Sequence, residues 1–305
     1  MPLHLSTPLI LHTALSTPEQ RVWLKLENLQ PGGSFKIRGI GALCEQAHAQ
    51  GKRRVVAPSG GNAGIAAATA ARALGMTAEV VVPVTTPEFT CQRIRALGAE
   101  VLVHGANWNE ANQLALRHCA DADAVYVPAF DHPAIWDGHS TMVDEIVEQL
   151  PQFDAIVASV GGGGLLAGVL VGLARHARHD VRVVAAETDG AASFAAALHA
   201  KRPVRIAAIT SIAKSLGALE VAAWPVAAIQ RFDHASVVLS DAQALDAVVR
   251  FAEDYRQLVE PACGVSLALA YQHHESLAGA RDVVIVVCGG VGVTPELVAQ
   301  WKAAG

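Results

Sequence analysis

Three short glycine-rich stretches, each set between an apolar run and a helical pattern, constrain this chain more than any other feature. They are Pro58-Ser59-Gly60-Gly61-Asn62-Ala63-Gly64, Val160-Gly161-Gly162-Gly163-Gly164-Leu165 and Cys288-Gly289-Gly290-Val291-Gly292. Strand, glycine turn and helix start form the repeating unit of α/β folds with parallel sheets. Apolar periodicity extends the pattern. It predicts strands at Arg54–Ala57, Glu79–Pro83, Glu100–His104 and Ala124–Val127, with helices at Asn62–Leu74, Pro87–Leu97 and Asn109–Ala120. A second series predicts strands at Ala155–Ser159, Val181–Glu187, Ser236–Leu239 and Val283–Cys288. Its helices are Leu165–Ala177, Ala191–Leu198, Leu219–Ile229, Asp241–Glu253, Pro261–Tyr271 and Pro295–Lys302. The two series part near Pro128 to Pro133, and no long linker separates them. Two closely packed lobes are expected.

The 305 residues are 52% hydrophobic, enough for a large core. A net charge of −5 with only 17% charged residues argues against a nucleic-acid surface. The five cysteines show no CxxC pair, which suits reduced thiols in a cytoplasm-like compartment. Met1 to Ile10 lacks a basic n-region and a cleavage pattern, so no signal peptide is expected. Asp154 to Ala174 is nearly charge-free, but its four glycines split it into strand and helix, so no membrane span is expected.

Loops at the carboxyl ends of parallel strands are where α/β proteins bind ligands. Glycines let backbone N–H groups reach an anion, and a helix N-terminus adds a favourable field. Three such loops suggest a ligand with more than one anionic group. A fourth stretch, Pro31-Gly32-Gly33-Ser34-Phe35-Lys36-Ile37-Arg38-Gly39, reads as a turn entering a helix with Ser34 as N-cap. Lys36 then lies in the first turn, against the positive end of the helix dipole. That placement favours a lowered pKa and imine chemistry. On this stretch alone a solvated lysine is the simpler reading. Nucleotide motifs fit poorly. Leu165 and Leu166 stand where a P-loop has Lys-Ser/Thr, and Leu166 fills the last glycine of G-x-G-x-x-G. Glu187 follows the next strand, which keeps a nicotinamide dehydrogenase as an alternative.

The sequences Ser34-Phe35-Lys36-Ile37-Arg38-Gly39, Ser59-Gly60-Gly61-Asn62-Ala63-Gly64, the tetraglycine loop and Cys288-Gly289-Gly290 together resemble pyridoxal-phosphate enzymes of the tryptophan-synthase-β fold (fold type II). Phe130 to His139 and Val259-Glu260-Pro261-Ala262-Cys263-Gly264 narrow the resemblance to the L-serine/L-threonine dehydratases, and most closely to serine dehydratases. This combination reverses the simpler reading of Lys36. The resemblance implies a two-lobed fold of open parallel sheets. Residues 1–35 and 130–305 would form a large cofactor-binding domain, and 36–129 a small substrate-gripping one. It implies β-elimination of L-serine, with L-threonine as a further candidate substrate, to an α-keto acid and ammonia. A threonine dehydratase, a β-replacement synthase and a non-catalytic amino-acid binding module remain as alternatives.

The resemblance also implies roles. Lys36 would carry pyridoxal 5′-phosphate as a Schiff base and then take the substrate α-proton. Gly161, Gly162, Gly163, Gly164 and Leu165 would hold its phosphate. Phe35 and Ser215 would face the two sides of the ring, Asn62 its hydroxyl and Cys288 its nitrogen. Ser59, Gly60, Gly61, Asn62 and Ala63 would grip the substrate carboxylate. Gly60 stands where related serine racemases place a serine hydroxyl, which argues against racemisation. Ser215 stands where some relatives have alanine. Glu187, with the carbonyls of Gly161, Ala191, Leu216 and Ala218, resembles the family's monovalent-cation (K+) site; a glutamate capping a strand end is the competing reading. The implied partners are a small amino-acid substrate and a second copy of the chain, with no nucleic acid and no membrane. His132 and His139 are read as shaping the lobe boundary, Trp108, Trp136 and Trp224 as packing, and Lys25, Lys52, Lys201 and Lys302 as solvated.

Overall fold

The structure is a computed structural model and describes residues 2–304. In chain order the first elements are strands β1 (Leu9–Leu11) and β2 (Arg21–Lys25), then α1 (Lys36–Ala49), β3 (Arg54–Ala57) and α2 (Asn62–Leu74). Next come β4 (Thr77–Val82), α3 (Glu88–Ala96), β5 (Glu100–Val103), α4 (Trp108–His118), β6 (Ala124–Tyr126) and α5 (Pro133–Gln149). The remainder is β7 (Ala155–Ser159), α6 (Gly164–Arg175), β8 (Arg182–Thr188), α7 (Ser193–Ala200), α8 (Ala223–Ala228), β9 (His234–Leu239), α9 (Asp241–Tyr255), α10 (Pro261–Tyr271), β10 (Asp282–Val286) and α11 (Pro295–Ala304).

The strands form two sheets, in the orders β1-β2-β10-β7-β8-β9 and β5-β4-β3-β6. All pairs are parallel except the β1–β2 edge. Parallel strands covered on both faces read as continuous apolar runs. Ala155–Ser159 and Asp282–Val286 are buried along their whole length, and this is why the alternation was legible. Strands β1 and β2 were not expected. Strand β2 completes its pairing with residues 282–286, far away in sequence. Helix α5 was also not expected. Pro133 at its first turn and His132, whose Nδ1 accepts from Ala134 N–H, start it. Among the described residues no helix is long and apolar enough to cross a membrane.

Helix α1 bridges the two sheets. It packs on α2 on one side and α5 on the other, and α5 packs on α6. The α1–α5 crossing has backbone against backbone: a Cβ at Gly138 would meet the Gly39 Cα at 2.7 Å. A Cβ at Gly39 would collide with the Ile135 carbonyl. Beside the crossing lies a buried ion network. The Arg38 guanidinium donates to both oxygens of Glu27 (2.7 and 2.8 Å) and both of Glu145 (2.7 and 2.7 Å). Lys25, expected in solvent, is fully buried in the same network. Its Nζ donates to the Thr7 carbonyl (2.7 Å) and to Glu145 (2.6 Å). Burial lowers the Lys25 pKa, and Glu145 pulls it part of the way back.

Candidate active site

The loop before α1 is joined to the loop after β10. Gly32 and Gly33 have φ of 80° and 77°, the left-handed region that suits glycine. Gly290 N–H donates to the Gly33 carbonyl (2.9 Å), and Phe35 N–H to the Cys288 carbonyl (3.2 Å). Ser34 is therefore spent bridging Gly289, and the N-cap of α1 is Phe35, which offers no side-chain cap. The cap comes from another helix: Gly39 N–H donates to His139 Nδ1 at 3.1 Å. His139 is fully buried, and its Nε2 has no partner among the described residues. Its ring lies 4.8 Å from that of Phe35.

Lys36 is the first residue of α1, and its Nζ donates to the Ala129 carbonyl at 2.5 Å. Burial lowers its pKa to about 8, against a smaller opposite pull from Cys288. The positive end of the helix dipole acts in the same direction as burial. Cys288 is itself buried, with its Sγ 3.5 Å from Ser159 Oγ.

The tetraglycine loop runs from β7 into α6, and Gly163 has φ of 92°. Each glycine faces a close neighbour. A Cβ at Gly161 would meet the Leu216 Cα at 2.9 Å; at Gly163, Pro225 at 2.8 Å; at Gly164, Phe130 at 2.9 Å. At Gly162 it would collide with the Phe130 ring. Among the described residues, the N–H groups of Gly161 to Leu165 have no acceptor in the protein. They form a cradle of unused donors at the start of a 12-residue helix.

The loop at the start of α2 has the same character. The N–H groups of Gly60, Asn62 and Ala63 find no acceptor among the described residues. The loop is held by Trp108, whose Nε1 donates to the Pro58 carbonyl (2.6 Å). A Cβ at Gly60 would meet Thr86 at 2.5 Å. The third loop departs from expectation. Gly290 N–H goes to Gly33, Val291 N–H to Asn62 Oδ1 (2.9 Å) and Gly292 N–H to Glu260 Oε1 (2.6 Å). It has no donor left at these positions for an anionic ligand. Its glycines instead make room for Glu260, whose carboxyl a Cβ at Gly290 would strike.

Glu260 precedes α10 and is buried. It accepts from Ser215 Oγ and from Asn62 Nδ2 (3.2 and 3.3 Å). Burial raises its pKa, and the bonds from Ser215, Gly292 and Asn62 oppose that rise. The sequence marked Glu260 and His139 only as parts of motifs. Neither has a local pattern that announces its partners.

Glu187, at the end of β8, accepts from Phe194 N–H (2.8 Å) and Ala195 N–H (2.7 Å). It caps α7 from a neighbouring strand, and burial raises its pKa to about 7 against those two bonds. Gly161 and Leu216 lie together, whereas the Leu216 carbonyl already accepts from Ala218 N–H (2.7 Å).

A family model described as pyridoxal-phosphate dependent enzyme matches residues 1–289. The chain belongs to this family. A mouse (Mus musculus) protein named serine dehydratase-like is 45% identical, over 99% of this chain and 94% of its own length. A human (Homo sapiens) L-serine dehydratase/L-threonine deaminase is 44% identical, over 99% and 94%. The crystal structure of a fungal L-serine ammonia-lyase from Rhizomucor miehei superposes with a TM-score of 0.93 at 39% identity, covering 99% of both chains. The residues of this chain fit the coenzyme of the pyridoxal-phosphate dependent enzymes. They present one amine with a lowered pKa, an unused N–H cradle for a phosphate, and a second set of free N–H groups for a carboxylate.

Proposed function

We propose that this chain eliminates water from L-serine, and from L-threonine in second place, to give an α-keto acid and ammonia. The observation that carries the reading is Lys36: an amine shifted to about 8 at the start of the helix packed between α2 and α5. When bound, pyridoxal phosphate draws electrons from the substrate α-carbon. Lys36 would hold the coenzyme, and its Nζ would accept the substrate α-proton. The N–H groups of Gly161 to Leu165 hold the phosphate. Those of Ser59, Gly60, Gly61, Asn62 and Ala63 hold the substrate carboxylate. Phe35 and Ser215 would hold the ring, Asn62 would serve its hydroxyl, and Cys288 would be a weak partner for its nitrogen. Gly60 has no hydroxyl to return a proton on the opposite side, and Thr86 leaves little space for one. Racemisation is therefore disfavoured.

The test is the visible spectrum with and without L-serine, for the wild type and Lys36→Ala. Wild type should be yellow, change on adding serine and release pyruvate. Lys36→Ala should do none of these. A wild-type spectrum indifferent to serine would count against the reading.

We further infer that residues 36–129 act as the small domain against 1–35 and 130–305. The chain would work as a homodimer in a cytoplasm-like compartment, which its five free cysteines favour. Glu187, with the carbonyls of Gly161, Ala191, Leu216 and Ala218, would hold K+. Light scattering tests the dimer. A rise in melting temperature with K+ that vanishes in Glu187→Gln tests the cation.

A further inference from the structure

Glu260 gathers three donors of the candidate site on one carboxylate. Its partners come from different parts of the fold: Asn62 from the start of α2, Ser215 from the segment after α7, and Gly292 from the loop after β10. Asn62 is fixed from both ends. Its Nδ2 donates to Glu260, while its Oδ1 accepts from Val291 N–H at 2.9 Å. The amide cannot flip without losing both bonds. Gly290 has φ of 128°, and a Cβ at Gly290 or Gly292 would press on the Glu260 carboxyl. The surrounding loop is thus shaped to admit this side chain. Among the described residues, no other buried carboxylate of the site accepts from both α2 and the loop after β10.

We propose that Glu260 is a positioning residue that locks the Asn62 amide, the Ser215 hydroxyl and the 290–292 loop into one frame around the coenzyme ring, joining the two lobes. This rests on the proposed roles of Asn62 and Ser215. A carboxylate is acceptor-only and can serve three donors at once. A glutamine in its place would still accept from Gly292, but its own NH2 would compete with Asn62 as a second donor.

The frame is tested on Glu260→Ala and Glu260→Gln by amide hydrogen exchange of the full chain without coenzyme, and by titration with pyridoxal phosphate. Exchange should rise at residues 290–292, whose N–H groups are held by Gly33, Asn62 and Glu260, and stay unchanged in β7 and β10. Coenzyme affinity should fall roughly tenfold or more, as for loss of hydrogen bonds to a charged group. Glu260→Gln should lie between Glu260→Ala and wild type, because it keeps the Gly292 bond. Unchanged exchange at 290–292 in both variants overturns the frame, and so does exchange that rises evenly across all elements. If wild type itself takes up no pyridoxal phosphate, the functional reading fails, while the exchange result still decides the frame.

Discussion

At the scale of single residues, two groups at the start of α1 carry protonation states that solution experiments can read. Lys36 has its pKa lowered to about 8 by burial. An unshifted lysine titrates near 10.4. In the coenzyme-free protein, acylation of Lys36 followed by peptide mapping should therefore reach half its limiting rate near pH 8, about two units below an ordinary lysine. A common midpoint for all lysines would contradict the buried-amine account. His139 is shifted in the same direction for a related reason. Burial, with the nearby charges of Lys36 and Arg38, holds its pKa well below 6.5. Protonation would also occupy the nitrogen that receives Gly39 N–H. The unfolded chain binds this proton and the native state does not, so stability rises with pH until about 6.5 and is lost below it. His139→Asn keeps an acceptor without a titrating ring. It should flatten the stability profile between about pH 5 and 6.5 by up to about 1.4 kcal/mol per unit. Denaturation midpoints across that range check it.

At the scale of elements, the crossing of α1 and α5 sets where Lys36 stands. Gly138→Ala would press a methyl onto the Gly39 Cα and the Ala42 side chain, so α1 must shift. The expected loss is about 1–3 kcal/mol, as for other overpacked sites. Coenzyme occupancy should fall with it. Gly41→Ala is the control on the same helix. Its Cβ would meet Leu3 at 3.4 Å and Ile37 at 3.8 Å, ordinary contacts, and alanine is the better helix former by up to about 1 kcal/mol. It should be neutral or stabilising, and equal losses for the two variants would refute the crossing argument. The same crossing explains why α5 was hidden in the sequence. Its apolar positions Ile135, Met142, Val143 and Ile146 are all buried. Gly138, His139 and Ser140 interrupt them; at Gly138 a Cβ would strike the Gly39 Cα and the Ala42 side chain. The glycine loops were legible because turn chemistry is local. Which loop keeps free donors was not, because the third loop spends its N–H groups on Gly33, Asn62 and Glu260, all distant in sequence.

At the scale of the whole molecule, the alternation of strands and helices revealed two parallel sheets, but not how the N-terminal segment ties them together. Lys25 looks like a surface residue until Glu145, 120 positions away, closes over it. The network balances two cations, Lys25 and Arg38, against two carboxylates, Glu27 and Glu145, and links β2, α1 and α5. Arg38→Met would leave two buried carboxylates with one lysine. Breaking a buried pair this way costs about 3–5 kcal/mol. Removing the exposed Arg175, paired with Asp144 and Asp137, should cost no more than about 1 kcal/mol. Burial raises the Glu145 pKa, but the bonds from Arg38 and Lys25 outweigh it and the net shift is downward. In wild type that contribution is present above the ordinary carboxylate range and lost as pH falls through the lowered value. Without Arg38 only Lys25 opposes burial, so the carboxyl rises from its wild-type value. The native variant then binds a proton before native wild type does, so acidification should narrow the stability gap to wild type. Denaturant melts of both proteins at pH 7, 6 and 5 measure the difference. A gap that stays constant or widens on acidification would show that the network is not what binds the lobes at this crossing.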